Sequence, residues 1–158
     1  MDSTPNPANP MHLLFSDYLK NKSLRNTTER KAILGAVCQT KDFFTHDLIW
    51  KYLKDSNFQV SRASIYNTME LLLDANIVTR LQFAGIHTLY LLKHIAEQHN
   101  YAICTQCHTV HKIKNDRLNR VFADYKIPKF TMAHYSLQVY GICSKCKFRI
   151  RKQVAGSF

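Results

Sequence analysis

The chain has 158 residues, which suits one domain or two small ones. Its apolar fraction of 46% is ordinary for a globular protein. No apolar run approaches the roughly 20 residues that a membrane helix requires. The stretch MDSTPNPANP lacks the basic and apolar regions of a secretory signal, and we expect a disordered tail over residues 1–9. The composition argues against a membrane protein and indicates a cytoplasmic one with reduced thiols.

Positive charge is concentrated in the back half of the chain. Residues 1–92 hold 10 Lys and Arg against 8 Asp and Glu, a net charge of +2. Residues 93–158 hold 12 against 3, a net charge of +9, which completes the total of +11. A basic surface favours nucleic acid as a partner. The simplest origin of this imbalance is a shortage of acidic residues after residue 92.

The first three predicted elements are amphipathic helices. MHLLFSDYLKNK is the first, and SLRNTTERKAILGAVCQT contains the second, which begins at the capping residues Thr27 and Thr28. THDLIWKYLKDS begins at a Thr45 cap, and its pattern predicts four inward residues. These are Leu48, Ile49, Tyr52 and Leu53.

A fourth helix and a hairpin complete the front half. The helix follows a Ser61 cap, with Ile65 and Met69 on its buried stripe and Asn76 as a left-handed C-cap. VTRLQF and HTLYLL alternate around a turn at Gly85 and predict two strands. This order is that of a winged helix, so residues 10–92 are predicted to form a winged-helix DNA-binding domain whose last helix enters the major groove.

Four of the five cysteines form two Cys-x-x-Cys pairs, Cys104 with Cys107 and Cys143 with Cys146. A redox pair normally follows a strand and opens a helix, and we expect neither pair in that setting. Each pair is instead predicted at a strand end, with further strand-like residues after it. Two such pairs favour one tetrahedral structural Zn²⁺ per protomer. The alternative is a set of buried or redox-active thiols, and Cys38 is predicted to be a core residue.

The segment between the cysteine pairs predicts a strand, a helix and a second strand, from HTVHKI, NDRLNRVFADYK and FTMAHYSLQVYG. Residues 93–150 then form a small zinc-clamped α/β domain, and residues 151–158 form a basic tail. The overall class is α/β (α+β). The core is thin, so the metal must contribute much of the stability.

Enzyme chemistry has little support in the sequence. There is no nucleophile elbow, Gly-rich phosphate loop or HExxH motif, and four glycines leave little room for cofactor loops. Two alternatives to a DNA-binding regulator stay open: a zinc-stabilised thiol redox protein, and an interaction module without sequence specificity.

Several stretches resemble the ferric-uptake-regulator (Fur) family, over roughly residues 10–150. They are SLRNTTERKAIL, SRASIYNTMELLLDANIVTRLQF, HNYAICTQCHTVHKI and YGICSKC. The resemblance implies a bacterial, homodimeric, metal-responsive regulator, usually a repressor. Its winged helix would bind double-stranded operator DNA, and its second domain would dimerise and hold structural zinc.

The resemblance also locates a regulatory metal site, where this chain departs from the family. The positions that match the usual ligands hold Phe43, about Leu91, His99 and Tyr101, so only His99 is retained. A further family site matches positions without its usual ligands: Gln98, Asn100, about Asn119, and Tyr135 beside His134. Sensing is therefore either lost or rebuilt, because Fe²⁺, Mn²⁺ and Zn²⁺ sites need several converging donors. Candidate donors for a rebuilt site are His87, His94, Glu97, His99, His108, His111 and His134.

For DNA contact, the resemblance points to the fourth helix and the junction before the second. Tyr66 matches a tyrosine that packs on thymine methyl groups, and Asn67 replaces a common arginine. Asn can bind adenine with two hydrogen bonds, so sequence preference is expected to shift. Arg62 lies on the first turn of the fourth helix and could reach phosphate or base, and Arg25 matches a basic residue that can reach the minor groove. Ser64 lies on the same exposed face of the helix.

Overall fold

The computed structural model describes residues 10–81, 88–113, 117, 120–121, 124–132, 135 and 137–155. The chain divides into two compact units, Met1–Ile95 and Ala96–Phe158. The division follows Ile95, whereas the sequence pattern places it after residue 92. No helix in the described ranges combines the length and the apolarity needed to cross a bilayer.

Four helices make up most of the first unit: α1 (Pro10–Asn21), α2 (Thr28–Gln39), α3 (His46–Asp55) and α4 (Arg62–Asp74). Three of the predicted caps are confirmed, whereas Thr28 is the first residue of α2 and not a cap. Thr27, Thr45 and Ser61 each accept a hydrogen bond from the backbone N–H three residues later. These bonds satisfy N–H groups that lack a partner in the first helical turn.

Left-handed residues other than glycine follow three of the helices, namely Ser23, Asn57 and Asn76. Asn76, with φ of 56°, lies one residue beyond the C-cap of α4. The N–H of Ile77 donates to the Leu72 carbonyl, and the N–H of Asn76 donates to the Leu73 carbonyl, each at 2.9 Å. This Schellman arrangement satisfies the last carbonyls of the helix without a glycine.

The core of the first unit comes from all four helices and the hairpin. Ile65 and Met69 are buried as predicted, but Leu48 and Tyr52 are 49% and 47% exposed. The inward prediction for these two residues is wrong. Ile49 and Leu53 lie four residues apart and form the only buried residues of α3, whereas Leu48 and Tyr52 form a neighbouring row that turns toward solvent.

The hairpin consists of β1 (Val78–Leu81) and β2 (Leu89–Leu92), antiparallel with Val78 opposite Leu92. The turn predicted at Gly85 falls in residues 82–87, outside the described residues, and so does the candidate ligand His87. Phe44 exchanges two backbone hydrogen bonds with Tyr90, of 2.9 and 2.8 Å. The segment that enters α3 is thereby fixed to the hairpin.

A five-residue helix, α5 (Lys93–Glu97), follows the hairpin, and a three-stranded sheet follows α5. Its strands are β3 (Asn100–Cys104), β4 (Val110–Ile113) and β5 (Gln138–Gly141), in the order β4-β3-β5. β3 pairs antiparallel with β4 and parallel with β5. The buried Asn100 side chain accepts the Leu137 N–H at 3.1 Å, which fixes the entry to β5.

The helix predicted over residues 115–126 lies mostly outside the described residues, and within it only Arg117, Arg120, Val121, Asp124, Tyr125 and Lys126 are described. Arg117, Arg120, Val121 and Asp124 are helical. His134 also lies outside the described residues.

The segment after the second cysteine pair is a helix, α6 (Ser144–Ala155), rather than the predicted strand and basic tail. The alternation Lys147-Phe148-Arg149-Ile150 is too short to separate the two possibilities. The N–H of Lys147 bonds to the Cys143 carbonyl at 2.9 Å, so helical pairing begins at the cysteine pair itself. A helix satisfies its backbone hydrogen bonds internally, whereas a strand at this position would need a neighbouring strand to pair with.

Candidate zinc centre and nucleic-acid interface

Four thiols at one end of the second unit's sheet meet at one point. The sulfur atoms of Cys104, Cys107, Cys143 and Cys146 all lie within 4.8 Å of one another. Cys104 ends β3, and Cys143 follows β5 by two residues. Because β3 and β5 run parallel, their carboxyl ends bring the two pairs together.

Backbone geometry shapes the thiol cluster. His108 has φ of 59°, and its N–H donates to the Cys104 carbonyl at 2.8 Å, which closes a tight turn around the first pair. The N–H of Thr105 donates to the Gly141 carbonyl at 2.7 Å and joins the two turns. The N–H of Cys143 points to the Cys104 sulfur at 3.3 Å. Such N–H groups stabilise negative charge on a thiolate.

The donor set fits structural zinc. Zn–S bonds of about 2.3 Å in a tetrahedron place the sulfurs about 3.8 Å apart, and the sulfurs of Cys107 and Cys143 are 3.7 Å apart. The N–H groups of Cys143 and Cys107 lower the pKa of Cys104 to about 5. Contact with the Cys107 thiol, together with burial, raises the pKa of Cys146 to about 12. Four thiols this close together cannot all ionise unaided, because the thiolates would repel one another. A divalent cation at their centre offsets this repulsion.

The local setting of the second pair differs from our expectation. Cys143 and Cys146 follow a strand and open α6, which is the setting that we expected neither pair to have. A strand-to-helix turn alone would permit redox chemistry. The convergence of Cys104 and Cys107 on the same point distinguishes this cluster from an isolated dithiol and favours metal binding.

The exposed face of α4 carries most of the predicted DNA-contact residues. Arg62 and Asn67 are exposed, and Tyr66 is 51% exposed, while Ile65 and Met69 face the core. Tyr66 is therefore not a core residue. Arg25 is exposed before α2, and its carbonyl accepts a hydrogen bond from Arg30.

Two of the predicted contact residues are already engaged within the protein. Arg62 pairs with Asp47, and its guanidinium carbon lies 4.7 Å from the centre of the Trp50 ring. The Ser64 hydroxyl donates to Glu29 at 2.8 Å and links α4 to α2. The contacts of Arg62 fix the orientation of its guanidinium group. Ser64 is only partly exposed, and its hydrogen bond to Glu29 indicates a structural role.

His46 is a neighbour of Tyr66 that the sequence pattern did not single out. Its ring centre lies 4.0 Å from that of Tyr66 and 4.7 Å from that of Tyr90. Its Nε2 atom is buried and has no hydrogen-bond partner among the described residues. Burial lowers the pKa of His46, although the carboxylates of Glu70 and Asp47 oppose this shift. A neutral imidazole therefore supports the inner side of the Tyr66 ring.

The candidate regulatory donors do not form a second cluster within the described ranges. There, the four cysteines are the sole group of three or more His, Cys, Asp or Glu side chains close enough to share an ion. Glu97 and His99 line an open cleft with Tyr135. His111 is exposed on β4, and His94 is exposed on α5. Leu91 and Tyr101, at two expected ligand positions, are buried.

Comparison with known proteins agrees with this architecture of a winged helix followed by a zinc-clamped α/β unit. The Ferric uptake regulator family matches residues 21–140. The Ferric uptake regulation protein of Legionella pneumophila is 27% identical over 134 residues, covering 84% of this chain and 98% of the relative. The peroxide-responsive repressor PerR of Staphylococcus saprophyticus is 27% identical over 131 residues, covering 82% and 86% respectively.

The fold is similar to that of solved regulators. The Ferric uptake regulator from Pseudomonas aeruginosa with manganese has a TM-score of 0.68 at 18% identity, over 82% of this chain and 97% of that one. A two-unit regulator of transcription is the class that the fold and the family match define. The chain belongs to the Ferric uptake regulator family.

Proposed function

We propose that this Fur-family regulator is a homodimeric repressor that binds double-stranded operator DNA in the bacterial cytoplasm. One structural Zn²⁺ per protomer holds its second unit, and the iron-type regulatory site of the family is lost. The observation that carries the proposal is the exposed face of α4, with Arg62, Tyr66 and Asn67 presented above a fully buried stripe. PerR of Staphylococcus saprophyticus, a relative by sequence, is named as a repressor.

α4 has the attributes of a recognition helix. It is capped at Ser61, carries no acidic residue in its first turn and packs its apolar stripe into the core. In a winged helix this element enters the major groove, and phosphate contacts at its ends set its register. Tyr66 would contact thymine methyl groups and Asn67 would bind adenine. Arg62 and Arg25 would contact the backbone.

Dimerisation is supported by the second unit's sheet. β5 is an edge strand, and all four of its residues are exposed. Val139 and Tyr140 are 46% and 54% exposed, and Ile142 beyond them is 49% exposed. An apolar edge strand of this kind associates readily with another chain. Two α4 helices in one dimer would then bind successive major grooves of a pseudo-palindrome.

Loss of the regulatory site is supported by its residues. Phe43, Leu91 and Tyr101 occupy expected ligand positions, and phenylalanine and leucine offer no metal donor. A ligand shifts a conformational equilibrium only through its differential affinity for the two states. A single retained histidine, His99, provides little of that affinity for a divalent ion.

Selection of duplexes from a random pool by zinc-loaded protein tests the DNA-binding role. We expect a pseudo-palindrome to be enriched, and Tyr66→Ala to weaken binding to it by about 1–3 kcal/mol. Binding to a scrambled duplex should change far less. Tyr52→Ala is a matched control, because Tyr52 is a similarly exposed tyrosine on α3.

Failure to enrich any sequence would favour the interaction module without specificity. Equal losses on both duplexes for Tyr66→Ala would mean that Tyr66 only supports the fold. Reversible dithiol–disulfide cycling of the four thiols in zinc-loaded protein would favour the redox alternative.

Operator affinity with and without added Fe²⁺ or Mn²⁺ tests the loss of sensing. In zinc-loaded protein we expect less than a tenfold gain, which is about 1.4 kcal/mol of coupling. A larger gain that His99→Ala abolishes would show a rebuilt site. A gain that survives this substitution would place the sensor at other residues.

A further inference from the structure

We propose that α6 is a second, sequence-independent surface for the phosphate backbone of duplex DNA. The helix belongs to the second unit, whereas the elements to which the family resemblance assigns DNA contact belong to the first. The proposal deepens the proposed function and rests on it for the identity of the polyanion. It assigns a partner to the positive charge that the sequence concentrates after residue 92.

The charge on α6 is of one sign. Five of its twelve residues are basic and none is acidic. All five are exposed, and none forms an ion pair with a carboxylate in the described part of the chain. They are Lys145, Lys147, Arg149, Arg151 and Lys152.

This arrangement is unfavourable for an isolated helix. Lys145 and Arg149 are four residues apart, as are Lys147 and Arg151, so cations repel one another along two rows. Lys145 and Lys147 also lie near the N-terminus, where the helix dipole disfavours positive charge. A neighbouring polyanion would offset both the repulsion between the cations and their unfavourable interaction with the helix dipole.

The zinc centre explains only part of the pattern. Four thiolates around Zn²⁺ carry a net charge of −2, which stabilises the lysines beside Cys146. Lys152 lies six residues beyond Cys146, about 9 Å along the helix axis. That separation is close to the Debye length of about 8 Å at physiological salt. Screening therefore weakens the attraction of Lys152 to the thiolates, and its Nζ instead lies 4.9 Å from the centre of the Phe148 ring.

The shape of α6 favours nucleic acid over a membrane. A helix that lies on a bilayer needs a continuous apolar face. Phe148 and Ile150 are 61% and 38% exposed, but residues two apart point to different sides of a helix. Twelve residues extend about 18 Å, and duplex DNA presents one phosphate charge per about 1.7 Å of axis. Several phosphates therefore lie within reach of one such helix.

The test measures binding of full-length, zinc-loaded protein to a scrambled duplex between about 50 and 200 mM salt. The variant Arg149→Gln/Arg151→Gln/Lys152→Gln spares the two lysines next to the cysteines. Each phosphate contact contributes about 0.9 to the salt slope, so the variant should lower the slope by about 2 to 3 per protomer. Zinc content and circular dichroism establish that the variant is folded.

The control variant Lys20→Gln/Lys41→Gln/Lys51→Gln removes the same charge from exposed positions in the first unit that lie outside the predicted DNA contacts. It should change the slope less than the α6 variant does. An equal change would show that net charge matters and α6 does not, and an unchanged slope in the α6 variant would overturn the proposal. Vesicles with anionic lipid form a second arm, in which loss of vesicle binding with unchanged duplex binding would also overturn it.

The result for α6 can be distinguished from the result for operator recognition. The α6 variant should weaken selected and scrambled duplexes by the same factor, whereas Tyr66→Ala should reduce their ratio. If the protein selects no sequence, the operator role fails. The salt slope of the α6 variant would still decide whether this helix binds phosphate.

Discussion

The two units of this regulator are stabilised by different means. In the described part of the first unit, seventeen buried side chains from four helices, the hairpin and the segments that connect them form the core. In the described part of the second unit, the buried residues are Asn100, Tyr101, Ile103, Cys104 and Cys146. Two of these five are members of the thiol cluster, so the metal centre takes the place of a core.

This difference in stabilisation is consistent with the proposed roles, DNA contact for the first unit and dimerisation for the second. A unit with its own core can present an exposed helix face to DNA without losing stability. A unit with a thin core leaves apolar side chains such as Val139 and Tyr140 at its surface, and a second copy can cover them. The first unit should therefore fold without metal, and the second should not.

Loss of the zinc centre has the largest expected effect. Cys107 is exposed, so Cys107→Ser removes a ligand with little change in packing. Structural zinc contributes about 10 kcal/mol or more in small domains, and we expect the second unit to unfold and the dimer to dissociate. Trp50, the one tryptophan of the chain, reports on the first unit and should keep its own thermal transition.

Cys38→Ser provides the control, since Cys38 is half-buried beside Met11 in the first unit. It should leave zinc content at one per chain. A metal-free protein that stays folded and dimeric would remove the distinction between the units.

A cavity in the first core has the next largest effect. Ile65 is buried on α4, and Ile65→Ala should cost about 2–5 kcal/mol through lost burial and an unfilled cavity. The Trp50 transition should shift to lower temperature while zinc content stays unchanged. Asn67→Ala, on the exposed face of the same helix, should change stability by less than about 0.5 kcal/mol. A loss of zinc in Ile65→Ala would show that the units do not fold independently.

Removal of a helix cap has a smaller effect. The Ser61 hydroxyl accepts the Ser64 N–H at 3.0 Å at the start of α4. Ser61→Ala should destabilise the first unit by about 1 kcal/mol in urea unfolding followed by Trp50 fluorescence. Ser61→Asp restores an acceptor and should recover most of the loss, and equal destabilisation by both variants would contradict the capping role.

Titration of His46 has the smallest expected effect. Burial lowers its pKa, while Asp47 and Glu70 oppose the shift and the rings of Tyr66 and Tyr90 face it. As pH falls below about 6.5, the unfolded chain binds a proton that the folded unit resists, so stability decreases. His46→Gln should flatten the slope of the Trp50 transition against pH. His12, whose pKa burial and Lys31 also lower, accounts for part of the remaining slope.

Local signals predicted the first unit well because its elements depend on nearby residues. The caps Thr27, Thr45 and Ser61 and the left-handed Asn76 all act within a few residues. The cysteine spacing predicted the thiol cluster equally well, because soft thiolates at two tight turns leave few alternatives.

Other features depended on residues distant in sequence. Leu48 and Tyr52 continue the apolar pattern of α3, yet no other element within the described ranges covers their side of the helix. The contact of His46 with Tyr66 joins the start of α3 to the middle of α4. Residues 147–150 of α6 were predicted as strand-like, because four alternating residues do not reveal whether a neighbouring strand is available.

The sequence by itself determined the boundaries of α1 to α4, the hairpin, the four clustered cysteines and the family. Each of these depends on short-range hydrogen bonding, on periodicity or on the chemistry of one residue type. Only the tertiary structure decided which apolar side chains are covered, which of the predicted DNA contacts are engaged within the protein, and that α6 is helical. Those outcomes depend on which elements pack against one another, and the pattern of residues along the chain does not specify which element will cover a given face.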